Sequence, residues 1–275
     1  LVRWASEHLG SHTALWLAER LADLAWQCSA RRRATVHANL SLQVNEPVGE
    51  PSPLVRAVFR NFGRYLVECF SVHTQPSPQV HVEGLQHLEA AHARGRGVIV
   101  LTGHVGNWEV GAIMLHRMGW PMTVIALPHG DPGTDGLFNG LRTRGGLTVI
   151  PLGPGAMRQS LKVLKDGRLL GVLGDHVFAG QALQVSLGPH AWLVPRGPAL
   201  LSVRAHAPIV PVFCLREGPW AFRLCVEPPL WPQVQVDGSG AVQALTYQYA
   251  GVLERYVRQV PTQWLMFRPV TGSPP

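Results

Sequence analysis

The stretch of this chain best supplied for chemistry is Gly103-His104-Val105-Gly106-Asn107-Trp108-Glu109, directly after the apolar run Gly97-Val98-Ile99-Val100-Leu101-Thr102. A histidine delivered by a buried strand, with a carboxylate five positions on, suits proton transfer. On a continuous helix, residues five apart are rotated by about 140° and do not face each other. Gly103 and Gly106 let the chain bend, so that His104 in a loop can meet Glu109 in the first turn of a helix capped by Asn107. A carboxylate on one imidazole nitrogen fixes the tautomer and leaves the other nitrogen to take a proton. This is the base and orienter half of a triad with no protein nucleophile, so the substrate is expected to bring its own hydroxyl.

The elements around this loop must hold it at the end of a sheet. Short apolar runs at 97–102, 122–127, 147–151, 169–174 and 209–215 alternate with helix-compatible segments at 107–118, 135–144, 155–166 and 197–206. That alternation predicts an α/β fold, a mostly parallel central sheet with helices on both faces. Ligands then sit at the carboxyl ends of the strands, where His104 falls. Residues 221–227 are expected to add an antiparallel strand to 209–215, and a last helix covers about 241–259. Before the sheet, Leu17, Leu21 and Leu24 mark one apolar stripe of a helix over 9–27, and a second helix spans 54–70. Pro-rich Thr74 to Pro78 closes this layer. The chain reads as a single domain over 1–275, with a helical N-terminal layer over 1–72 and an α/β core over 80–275.

Composition narrows the partners. Only 15% of residues are charged and 46% are apolar, which suggests contact with something apolar. The net charge is +7, and between 142 and 168 Arg142, Arg144, Arg158, Lys162, Lys165 and Arg168 face only Asp166. Such a segment suits an anion: phosphate, headgroups or an acidic carrier. The 4 cysteines form neither a CxxC motif nor a disulfide-dense pattern, so free thiols are expected. His104 and Glu109 lack companions at metal-ligand spacing, so no metal is expected. The tryptophans and arginines form no base-stacking platform, and no nucleic-acid partner is expected. Trp4, Trp16 and Trp26 beside Arg31-Arg32-Arg33 fit a helix at a membrane interface, although an ordinary amphipathic helix packed on its own domain has the same pattern. Val177 to Pro195 is too interrupted to span a bilayer, which takes roughly 20 mostly apolar residues. It is expected to be an apolar loop, with Phe178, Leu183, Val185, Leu187 and Trp192 walling an acyl chain, touching a membrane or packing on its own sheet. The chain begins on Leu1 with no signal-peptide pattern, which leaves room for an upstream anchor.

Thr102 to Glu109 resembles the GHxGNWE signature of the lipid A late acyltransferase family, the HxxxxE branch of the glycerolipid acyltransferases. Leu141 to Ile150 is similar to that family's arginine-then-glycine segment. Leu173-Gly174-Asp175-His176 sits where the family has an Asp-Gln pair, and Gly197 to Leu201 through Ala207 to Phe213 resembles its GpAxLA and ApvvPvf block. Pro261-Thr262-Gln263-Trp264 matches its closing Pro-x-Gln-Trp, and Arg31 to Leu42 its Arg-rich, Asn-Leu stretch.

The resemblance implies a glycerolipid-acyltransferase-like fold and a membrane-associated O-acyltransferase. It would move a fatty acyl chain from acyl carrier protein or coenzyme A to a hydroxyl of a glycolipid or lipid A precursor, at the cytoplasmic face of the inner membrane, with no cofactor beyond the thioester. His104 maps onto the general base, Glu109 onto its orienting carboxylate and Arg142 onto the functional arginine, with Arg144 close enough to compete. A thioester carbonyl under attack becomes an oxyanion, so a cation or N–H groups must meet that charge; Arg142 can equally hold a phosphate. Gly106, Asn107, Asp175, His176 and Gly197 complete the expected substrate-binding set. Gly197 opens a helix whose N–H groups suit an anion, and Asp175 can bind the acceptor or hold a loop. His129 and Asp131 lie in a Gly/Pro loop, where a turn is the plainer role. Two other functions fit the same residues: a hydrolase in which water replaces the acceptor, and a non-enzymatic protein that binds anionic membrane.

Overall fold

The computed structural model describes residues 4, 6, 8–42, 52–73, 78–177, 182–187, 190–233 and 238–271. Among the described residues, the first helices with defined bounds are α1 (Ser11–Cys28), α2 (Ala30–Ser41) and α3 (Pro53–Ser71). Then β1 (Gln79–Glu83), α4 (Leu85–His92), β2 (Val98–Thr102), α5 (Trp108–Arg117) and β3 (Met122–Ala126) follow. The chain continues through α6 (Pro132–Arg144), β4 (Thr148–Pro151), α7 (Ala156–Lys165) and β5 (Leu169–Leu173). A hairpin of β6 (Ala182–Leu187) and β7 (His190–Pro195) leads to α8 (Gly197–Ala205), β8 (Ile209–Gly218) and β9 (Ala221–Val226). The last helix is α9 (Gly238–Gln259), before a single 3₁₀ turn, Pro261–Gln263.

Seven strands form one sheet in the order β1-β9-β8-β2-β5-β3-β4, parallel throughout except for the β8–β9 hairpin. The centre is buried on both faces, so β2 and β5 read as continuous apolar runs, as parallel strands covered on both sides must. One face carries α1 to α5 in a cluster that includes Val58, Phe59, Val100, Ile113 and Leu224. The other carries α7, α8, α9 and the β6–β7 hairpin around Leu101, Leu170, Trp192, Tyr249 and Trp264. The N-terminal helices thus share a core with the sheet.

Several segments differ from the sequence expectation, among them α2, which was not anticipated. β1 and α4 were not anticipated, because β1 is an edge strand with alternating exposure and no continuous apolar run. Within Val177 to Pro195, expected to be a loop, β6 and β7 pair in antiparallel register, with Val185 opposite Trp192. The buried face of α1 is Ala14, Ala18 and Ala22 rather than the leucine stripe. Gly63 of α3 approaches so closely that a Cβ there would meet the Ala18 carbonyl oxygen at 2.8 Å, and only small side chains fit that crossing. Leu24 and Trp16 consequently face outward, 55% and 60% exposed. The proposed Pro-rich boundary at Thr74 to Pro78, Pro78 excepted, and Phe178 lie outside the described residues.

Candidate active site

His104 follows β2 at the carboxyl edge of the sheet. The loop after it turns sharply at Gly106, whose φ is +69°; a Cβ there would stand 2.1 Å from the Cys214 carbonyl oxygen, so no other residue fits. Asn107 is fully buried and caps α5, its Oδ1 accepting from the Val110 N–H. Its Nδ2 donates to Oε2 of Glu68 at 2.8 Å, and Glu68 in turn is ion-paired with Arg216 of β8. This buried cluster ties α3, the His104 loop and β8 together, and each charge in it has a partner.

The carboxylate on the His104 ring is Asp175, from the turn after β5. Its Oδ1 accepts from Nδ1 of His104 at 2.8 Å, and its Oδ2 accepts from the His104 backbone N–H at 2.7 Å. Oδ2 also accepts from the Trp264 indole N–H at 3.1 Å. Burial pushes the Asp175 carboxyl up, but the charge and two hydrogen bonds of His104 and the indole outweigh it, and the net shift is down. An ionised carboxylate only accepts, so Nδ1 carries the proton and Nε2 is the nitrogen suited to act as base.

The expectation for Glu109 is corrected by this arrangement. The first turn of α5 aims Glu109 at α6, where Arg142 Nε lies 3.1 Å from both carboxylate oxygens and Nη2 lies 2.5 Å from Oε1. Burial lowers the Arg142 guanidinium, and Glu109 more than restores it, so its pKa stands above the ordinary value. Asn139 and Asp135 extend this line: Arg142 Nη1 donates to Asn139 Oδ1, and Asn139 Nδ2 to Asp135 Oδ2.

His104, Glu109, Arg142, His176 and Gly197 all line one cavity of about 1200 Å³. It continues from His104 beneath α5, between Ala112 and Leu115 on the helix and Val100, Gly171, Val124 and Met122 on the strands. Met122 lies level with Leu169 and so with Val98, four residues below Thr102, roughly 13 Å along the strands. Burial lowers the His176 imidazole to about 4, more than Asp175 can restore, so it is neutral at physiological pH. Leu183, Val185 and Trp192 of the hairpin belong to the core on the other face of the sheet. Among the described residues no group of His, Cys, Asp and Glu is placed to hold a metal ion.

Of the remaining expected residues, His129 also lines the cavity, and the others lie apart from its wall. Asp175 stands behind His104, and Gly106 and Asn107 shape its loop. Arg144 is exposed, with Nε donating to the Gly140 carbonyl, so of the two arginines only Arg142 reaches the cavity. Asp131 caps α6 through the Thr134 N–H, while His129 stacks on Phe138 and pairs with Asp135. Arg32, from the Arg-rich stretch, and Arg196 and Arg268, which no motif marked, also line the cavity. Trp264 was visible as part of a motif, but nothing in sequence spacing says that its indole reaches Asp175, 89 positions away.

A family model described as bacterial lipid A biosynthesis acyltransferase matches residues 1–270. The chain is 28% identical over 241 residues to the phosphatidylinositol mannoside acyltransferase of Mycolicibacterium smegmatis, covering 84% of this chain and 77% of that one. It is 23% identical over 274 residues to the lipid A biosynthesis palmitoleoyltransferase of Escherichia coli, covering 96% of this chain and 86% of the other.

Proposed function

Because the chain belongs to the bacterial lipid A biosynthesis acyltransferase family and is therefore an acyltransferase, we propose that it moves a fatty acyl group from a thioester to a hydroxyl of a glycolipid. The observation that carries this reading is the Asp175–His104 pair opening into an apolar cavity. The acceptor hydroxyl gives its proton to Nε2 of His104 as its oxygen attacks the thioester carbonyl. The C=O electrons move onto oxygen, and the tetrahedral oxyanion is met by a cation; Arg142, already held by Glu109, is the candidate. When the oxyanion collapses, the C–S bond breaks and His104 returns the proton to the leaving thiolate. Ester and free thiol result, and Asp175 stabilises the transient imidazolium without taking its proton.

The acyl chain occupies the space under α5, while the acceptor enters from the mouth lined by His176, Arg196 and Arg268. The donor is acyl carrier protein or coenzyme A, and the acceptor a lipid A precursor or a phosphatidylinositol mannoside, as the names of the relatives suggest. No helix among the described residues is long and apolar enough to cross a membrane. Exposed Trp4, Trp16 and Leu24 on the first helical segments, with Leu21, Ala25 and Arg32 nearby lining the cavity, support docking of this edge on a membrane surface.

The test is acyl transfer with purified protein, an acyl thioester and each lipid acceptor, following ester and free fatty acid together. Acceptor-dependent ester formation that His104→Ala abolishes supports the proposal. Fatty acid release unaffected by any acceptor makes the protein a thioesterase instead, and near wild-type transfer by His104→Ala removes His104 as base.

A further inference from the structure

The residues after α9 are wrapped around the His104 loop rather than trailing from it. Gly106 N–H donates to the Gln263 carbonyl at 3.0 Å, and Leu265 N–H donates to the His104 carbonyl at 2.7 Å. Between these, Val105 and Trp264 form an antiparallel bridge, so 263–265 acts as one more short strand paired with the loop. The Gln263 side chain spans to β8, accepting from the Arg216 N–H at 2.9 Å and donating to its carbonyl at 3.0 Å. Asn61 fixes the preceding carbonyl of Thr262, and Asn39 fixes those of Met266 and Arg268. Trp264 is 1% exposed, and its ring stacks on Trp192 of β7 with centroids 5.1 Å apart and planes at 12°.

Within this clamp the indole N–H of Trp264 points at the carboxylate that holds His104. We propose that Trp264 is a positioning residue for acyl transfer: its N–H shares the charge of Asp175 and fixes that carboxylate, and with it the imidazole, at the angle from which Nε2 meets the acceptor hydroxyl. Trp192 serves only as the wall that keeps the indole in plane. The inference rests on the reading of His104 as the base. It gives the closing Pro261-Thr262-Gln263-Trp264 motif a function in catalysis, distinct from filling the core.

Trp264→Phe keeps an aromatic ring against Trp192 and removes the N–H. Without that donor, the Asp175 charge falls wholly on His104 and holds the imidazolium proton more tightly. The other charged or titratable groups around the pair are His176 beside Asp175, Arg268 after the clamp, and Glu109 and Arg142 across the cavity. None is altered by the substitution. Transfer is measured against pH for wild type, Trp264→Phe, Trp192→Phe and His104→Ala, together with chemical unfolding. A hydrogen bond to a charged group is worth a factor of roughly 10 to 100. Trp264→Phe is therefore expected to lower kcat about 10-fold or more, to leave KM for the thioester within about twofold, and to move the acid limb of kcat/KM to higher pH. Trp192→Phe leaves that limb in place.

An unmoved acid limb in Trp264→Phe overturns the proposal while leaving His104 as base; retained transfer in His104→Ala overturns the underlying reading instead. Should Trp264→Phe not fold, wild-type protein labelled with ¹⁵N-tryptophan gives the answer. One indole N–H resonance must titrate with the midpoint of the acid limb, and its absence overturns the proposal.

Discussion

Glu109 and Arg142 form a buried ion pair across the cavity, Oε1 to Nη2 at 2.5 Å, with side chains only 4% and 11% exposed. The glutamate of the His104 loop is thus committed to the arginine of α6. Glu109→Gln leaves the guanidinium buried without a counter-charge, a loss of about 3–5 kcal/mol for a broken buried pair. Denaturant unfolding is expected to show that loss. The acid limb of the pH–rate profile stays in place, and its movement would return Glu109 to the role of histidine partner.

Asp175→Asn presents an amide where the imidazole Nδ1 proton needs an acceptor, and the ring takes the wrong tautomer. Transfer is expected to fall about 10²- to 10⁴-fold, the range of a general base, with KM for the thioester nearly unchanged. Steady-state kinetics on a variant of wild-type circular dichroism checks this. A loss under threefold would mean that another group orients His104.

The His176 imidazole, held down to about 4 by burial, resists protonation in the folded protein. The unfolded chain takes that proton at about 6.5, so as pH falls from 6.5 toward 4 stability drains through this site. Asp175 acts in a lower window, since its carboxyl lies below the ordinary 3.8 when folded and is protonated only under that value. His176→Gln is expected to lose less stability than wild type between pH 7 and pH 5. Urea midpoints at the two pH values decide it, and equal losses would rule out a neutral buried imidazole.

Gly171 sits in the middle of β5, facing the cavity, where a Cβ would meet Met122 Cε and Val124 Cγ1 at 3.1 Å. Glycine inside a buried strand weakens it and marks a place where something else comes close. Gly171→Val fills the deep part of the proposed acyl space and is expected to shift preference toward shorter thioesters. Competition between thioesters of different chain lengths reads the ratio directly, and an unchanged ratio places the acyl chain elsewhere.

Trp16 and Leu24 are exposed on α1 because the Ala14, Ala18 and Ala22 face takes the packing contact. Replacing both with serine is expected to leave stability within about 0.5 kcal/mol, as for surface changes, and to weaken binding to vesicles of anionic lipid. Co-sedimentation that is unaffected would move the membrane contact away from this helix.

The alternating apolar runs foretold the parallel centre of the sheet, since strands buried on both faces have no choice but to be apolar throughout. The His104 loop was equally legible, because a glycine bend and an asparagine cap are local devices with local signatures. β1 and the β6–β7 hairpin were hidden for the converse reason: their exposure alternates or their partners are supplied by other elements. The leucine stripe of α1 misled because a helix crossing this close takes alanine at the contact, leaving Leu17 and Leu21 at its margins and Leu24 outside.

The sequence alone determined that a histidine would stand at the carboxyl end of a buried strand. Only the tertiary structure decided which carboxylate holds it. Asp175 and Trp264 come to His104 from 71 and 160 positions away, brought there by the β2–β5 pairing and the return of the chain after α9. A hydrogen bond depends on distances of a few tenths of an ångström, and sequence spacing carries that information only within a single turn or loop.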